Sequence, residues 1–149
     1  MLRRFPVPGF TRTGGSARML PLLALLALAA GCAKGDPYAI ETPAATLAAG
    51  AAGHAEIRFL PGAGFKWNDE FPARLKIADA GTARVAKPSF AQADGDFTVG
   101  DGIGSLRIPV TAGAAGTTAL KGTADFSVCN DDECRIFRAV PIEIPLEVR

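Results

Sequence analysis

Two cysteines, Cys129 and Cys134, enclose the tetrapeptide Asn-Asp-Asp-Glu, and the segments on either side alternate apolar and polar residues as β-strands do. Cys129 ends one strand and Cys134 opens the next, so the two sulfurs can meet across the mouth of a hairpin. Three chemistries suit a pair placed this way: a disulfide that staples the hairpin, a redox pair that exchanges with another protein's thiol, or part of a soft metal site. A ring of about six residues removes loop-closure entropy worth roughly 2 kcal/mol, less than a bond between distant strands would. The short ring tilts the balance toward exchange, although local staples are common.

The neighbouring charges bear on which chemistry is open. Asp131, Asp132 and Glu133 oppose formation of a thiolate, whereas Arg135 and Arg138 favour it. No lysine, histidine or helix N-terminus is close in sequence to activate either sulfur. A working redox pair would therefore be a disulfide attacked by a partner's thiolate, or a dithiol positioned by docking. A metal is the weakest of the three readings, because two cysteines with His54 supply at most three soft ligands where zinc sites commonly use four.

The start of the chain sets the compartment. Residues 1–18 carry four arginines and no acid, and they lead into the apolar run MLPLLALLALAA, which is the order of an export signal. That run has twelve residues, short of the roughly 20 a spanning helix needs. It ends in LAAGC, which resembles the lipobox of bacterial lipoproteins, with Ala29 where leucine is usual and Leu28 one place earlier. The resemblance implies a signal peptide over residues 1–31, acylation of Cys32 and a lipid anchor on the periplasmic face of the envelope. Ala33 is unlike the aspartate that retains some lipoproteins at the inner membrane, so the outer membrane is preferred. Arg3 and Arg4 do not complete a twin-arginine signal.

With Cys32 assigned to lipid, two cysteines remain, and an oxidising compartment makes a disulfide the default for them. Four of the sixteen basic residues lie in the leader, so the processed chain has twelve basic and fifteen acidic side chains, a net charge of −3. Nothing basic and clustered remains to follow a phosphate backbone, which disfavours nucleic acid.

Among the elements that must hold the pair, residues 32–53 are rich in Ala, Gly, Pro and Thr and are expected to be mostly a tether, with a first strand near Tyr38 and Ile40. From His54 to the end the period is that of strands. Ala55, Ile57 and Phe59 share a face; so do Phe71, Ala73, Leu75 and Ile77; then Leu106, Ile108 and Val110; Ala124, Phe126 and Val128; and Ile142, Ile144, Leu146 and Val148. Shorter strands are expected around Val85 and at 97–99. Pro141 and Pro145 place the last strand at a sheet edge. No helix-period stripe of three turns follows residue 53. The expected fold is all-β, an immunoglobulin-like β-sandwich of about seven or more strands over residues 54–149.

The segment GTADFSVCNDDECRIFRAVPIEIPLEV resembles the end of the N-terminal periplasmic domain of the thiol:disulfide interchange protein DsbD, the disulfide-corrector domain family, and FLPGAGFKWNDEFPARLKI resembles its earlier strands. The similarity spans about residues 54–148. It implies an immunoglobulin-like sandwich with Cys129 and Cys134 as the redox pair on adjacent strands; the family often has five residues between its cysteines where this chain has four. It also implies an aromatic cap loop over the sulfurs, for which Phe65, Trp67 and Phe71 are the candidates. From the residues alone, the parity of Phe71 favours a core position, while Trp67 in KWND is the better cap or docking residue and equally suits a partly buried place in the sandwich.

The expectation that follows is an envelope module relaying reducing equivalents between protein partners, a thioredoxin-like or membrane electron-transfer protein among them, with no small-molecule cofactor. The competing expectation is a structural or binding lipoprotein whose disulfide only stabilises the fold. No nucleophile elbow, phosphate-binding glycine loop or HExxH motif supports a hydrolytic or cofactor enzyme, and His54 is expected to have no catalytic role.

Overall fold

The computed structural model describes residues 35–149, and the signal, lipobox and Cys32 acylation expected from the sequence lie outside the described residues. Eleven strands form an all-β fold: β1 (Tyr38–Glu41), β2 (Ala45–Leu47), β3 (Ala52–Pro61), β4 (Lys66–Trp67), β5 (Arg74–Asp79), β6 (Arg84–Val85), β7 (Ser89–Ala91), β8 (Phe97–Gly100), β9 (Ile103–Thr111), β10 (Gly116–Cys129) and β11 (Cys134–Val148). A 3-10 turn at Gln92–Asp94 joins β7 to β8.

They make two sheets in a sandwich-like arrangement. The five-stranded sheet runs β1-β3-β9-β6, with β8 also on β9; the six-stranded sheet runs β2-β11-β10-β5-β7, with β4 also on β10. The long hairpin β10–β11 dominates the second sheet, paired from Gly116 opposite Val148 to Cys129 opposite Cys134. β11, expected at an edge, is one for most of its length; only residues 146–148 gain β2 on the other side.

The core is the inner face of both sheets, and its residues follow the alternation of the sequence. Ala55, Ile57, Phe59, Leu106, Ile108 and Val110 come from one sheet, and Leu75, Ile77, Leu120, Ala124, Phe126, Val128, Ile142, Ile144 and Leu146 from the other, all buried. Each fully buried Leu, Ile, Val or Phe contributes about 1.5–3 kcal/mol relative to exposure, which is what such a small domain has to set against chain entropy.

The segment expected to be a tether is instead partly built into the fold. β1 pairs antiparallel with β3, opposing Tyr38 to Pro61 and Glu41 to Arg58, while β2 runs parallel to the end of β11. The Tyr38 ring sits 4.9 Å from Phe126 and 4.5 Å from Phe137, between the sheets at their open side. β1 is the first strand expected near Tyr38 and Ile40, whereas alanine-rich composition hid β2, since alanine is depleted from strands and carries little periodic signal.

An aromatic cluster fills the end of the sandwich nearest the cysteines. Trp67 is 5% exposed, stacks at 5.9 Å on Phe126 and 5.7 Å from Phe97, and lies 5.3 Å from Phe59. Gly104 on β9 makes room for it, because a Cβ there would lie 2.5 Å from the indole Cδ2. The indole N–H donates to Gln92 Oε1 at 3.0 Å, so the one polar atom of the ring is satisfied.

Candidate functional site

The site is built by the tight end of the β10–β11 hairpin. Asn130 Oδ1 accepts the backbone N–H groups of Asp132 (2.9 Å) and Glu133 (2.8 Å), and the Asn130 N–H donates to the Glu133 carbonyl at 2.9 Å. An asparagine side chain that bonds its own turn in this way is a local reason for the chain to reverse here. It leaves Cys129 and Cys134 directly opposite, with Cα atoms 4.0 Å apart and a disulfide joining them. Close approach of the backbones is what a non-hydrogen-bonded antiparallel pair provides.

Side chains alternate along the hairpin, so the disulfide shares a face with Ser127 and Ile136, which oppose each other one step further in. This is the outer face of the sheet. Cys134 is exposed and Cys129 half-buried. On its other side Cys129 opposes the exposed Lys66 of β4, the cation nearest to it by register. Ile136 is 53% exposed, while Ser127 is 0% exposed and receives the Asn68 Nδ2 hydrogen bond at 3.4 Å. The inner face at the same level carries Phe126, Val128, Phe137 and Arg135.

The residues expected around the sulfurs fall in three environments. Phe65 is half-buried beneath Arg135, whose guanidinium lies 5.0 Å from its ring centroid; Arg135 Nε also donates to Glu133 at 2.7 Å. Phe71 precedes β5 rather than belonging to it, is half-buried, and lies 5.7 Å beneath the Arg138 guanidinium. Trp67 belongs to the core. Both arginines expected to favour a thiolate are thus already held by an aromatic face, and Arg135 by a carboxylate as well.

The loop between Phe65 and Phe71 is pinned from below. Gln92 bridges it to the core, accepting from Trp67 and donating through Nε2 to the Asp69 carbonyl. The turn that carries Gln92 depends on Asp96, which accepts the Ala91 N–H at 2.8 Å and both oxygens of which bond Lys87 Nζ at 2.7 Å. Burial alone would raise the Asp96 pKa; the hydrogen bonds from Lys87 and Ala91 and the Lys87 charge outweigh it and hold the carboxyl below its ordinary range.

His54 is exposed on the other sheet, opposite Pro109 on β9. Among the described residues no group of three or more His, Cys, Asp or Glu side chains is arranged to hold a metal ion. Sequence reasoning missed Gln92, Ser127 and the approach of Lys66 to Cys129. Alternation puts Ser127 on the outer face, which ordinarily means solvent, and only the return of Asn68 across the strand buries it. Lys66 is distant from the cysteines in sequence, and β4 is too short to announce its pairing.

No family model matches the chain, and the curated proteins contain no match to it.

Proposed function

We propose that this chain is an envelope lipoprotein whose sandwich domain is a structural or binding module, with the Cys129–Cys134 disulfide serving to hold the hairpin end. The observation that carries this reading is the pairing itself: the two cysteines are the terminal opposed residues of a hairpin whose turn is already closed by Asn130. Such a bond needs no activating group, and the two arginines nearest in sequence are engaged elsewhere, Arg135 by Glu133 and Phe65 and Arg138 by Phe71. The charged leader and the LAAGC boundary support export, acylation at Cys32 and the outer membrane as destination. The order of strands and the outer-face hairpin support an immunoglobulin-like arrangement. Replacing both cysteines with alanine in the full chain tests the reading: stability falls by about 2 kcal/mol with cellular thiol status unchanged.

A second reading is favoured by one specific observation, the exposure of Cys134 on the outer face, with Lys66 beside its partner Cys129. There the pair is the redox centre of a module like the N-terminal domain of DsbD, which the segment around the cysteines resembles. A thiolate of a thioredoxin-like or membrane electron-transfer protein attacks one sulfur, the S–S bond breaks as the mixed disulfide forms, and the partner's second thiolate then breaks that bond, so that the partner leaves as its disulfide and Cys129 and Cys134 remain as a dithiol. Rapid disulfide exchange with such a partner, lost on removing either cysteine, would favour this reading over the first.

A further inference from the structure

We propose that the open edge of β11 over residues 134–137 is a docking strip that takes up an extended, lysine- or arginine-bearing segment of another protein as an added strand. The proposal rests on the binding-module reading and names the class of partner.

The edge is available by topology. β11 pairs with β10 along one side, and on the other side β2 covers only Leu146, Glu147 and Val148. Exposed strand edges are ordinarily blunted with bulges and prolines. On β11 those devices begin at residue 138: Arg138 and Ala139 oppose Asp125 in a bulge, Ala139 has a φ of 51°, and Pro141 and Pro145 follow. Residues 134–137 carry neither a bulge nor a proline, and their one charged side chain, Arg135, is held by Glu133 and the Phe65 ring.

The direction of the backbone groups follows from the pairing. The Asn130 N–H to Glu133 carbonyl bond makes that pair the hydrogen-bonded one, and bonded and non-bonded pairs alternate along an antiparallel ladder. Cys129 with Cys134, and Ser127 with Ile136, are then non-bonded pairs. The N–H and C=O groups of Cys134 and Ile136 accordingly point away from β10, toward the open side. Ile136 adds an apolar side chain 53% exposed, and Val99 on the other sheet is the remaining large apolar side chain exposed among the described residues.

Charge selects the partner. Asp131 and Asp132 stand in the turn beside Cys134, at the end of the strip. Neither is in an ion pair among the described residues, whereas Glu133 is matched by Arg135 and the Arg138 guanidinium, past the other end of the strip, lies over the Phe71 ring. A basic segment gains from the two aspartates and an acidic one is repelled. Main-chain bonds would supply affinity in this mode of recognition, and the alternate side chains its selectivity.

The test uses the isotopically labelled full chain and two synthetic peptides, one alternating lysine and valine, the other glutamate and valine. The lysine peptide is expected to shift the Cys134 and Ile136 amides saturably and to weaken as salt rises, with the glutamate peptide inert. Ile136→Pro removes an outward N–H without touching the ladder to β10, and it should weaken the lysine peptide at least tenfold. Should that variant fold poorly, the wild-type shift map decides alone. Shifts centred on β1 or β7, equal response to both peptides, or no saturable shift would each overturn the strip. The binding-module reading fails separately, by thiol exchange of the wild-type disulfide.

Discussion

The carboxylate of Asp125 accepts the N–H of Ala139 at 2.7 Å, and this contact sits at the point where the phase of β11 changes. Ala124 opposes Val140 and Phe126 opposes Phe137, so two residues, Arg138 and Ala139, face the single Asp125. Without the extra residue the inward parity of Ile142 and Val140 would continue to residues 138, 136 and 134. The bulge turns Ile136 and Cys134 outward and sets Cys134, not Arg135, opposite Cys129.

Ala139 holds its φ of 51° without the freedom of a glycine. Ala139→Gly should therefore stabilise the domain by about 0.5–1 kcal/mol, because the left-handed region costs an L-residue roughly 1–2 kcal/mol that glycine's larger unfolded-state entropy only partly offsets. Urea denaturation of the two proteins, compared at equal m-value, checks the sign.

Gly104→Ala should do the opposite. The new methyl meets the Trp67 indole, which is wedged between Phe97 and Phe126 and has little room to retreat. A loss of about 1–3 kcal/mol is expected from overpacking, together with a changed tryptophan emission in the folded state.

Acid should loosen the turn that carries Gln92. The Asp96 carboxyl is depressed when folded, so its stabilising contribution is fully present above its unfolded pKa and is lost as pH falls through the lower, folded value. The loss is expected below about pH 4, the ordinary aspartate range. Asp96→Asn should flatten that part of the stability profile, measured by thermal unfolding from neutral pH downward, and leave the rest of the curve in place.

Much of the architecture is legible in the residues and some is not, for identifiable physical reasons. Strict alternation in 55–59, 106–110, 124–128 and 142–148 gives β3, β9, β10 and β11 with their inner faces, because a sheet buried on one side leaves its period in the sequence. β4 and β7, of two and three residues, are too short to show any period. The bulge is invisible because Ala139 is not the glycine that would announce it. Trp67 stands among polar neighbours in KWND yet is buried, since its pairing with Val128 aims it inward. Phe71 keeps the parity of Ala73 and Leu75, but the strand begins only at Arg74 and the ring ends under Arg138. The cysteine pair itself is legible: two strands joined by a four-residue turn are enough to bring the sulfurs together, and the disulfide joins them.

The most direct measurement on the structural account is the reduction potential of Cys129–Cys134 in the full chain, taken together with its rate of exchange against a reduced thioredoxin-like protein. A structural staple should lie below about −300 mV and resist the partner over hours. A potential near the −270 to −120 mV span of dithiol oxidoreductases, roughly, with a mixed disulfide trapped at either cysteine, would contradict it and make the hairpin end a site of electron transfer.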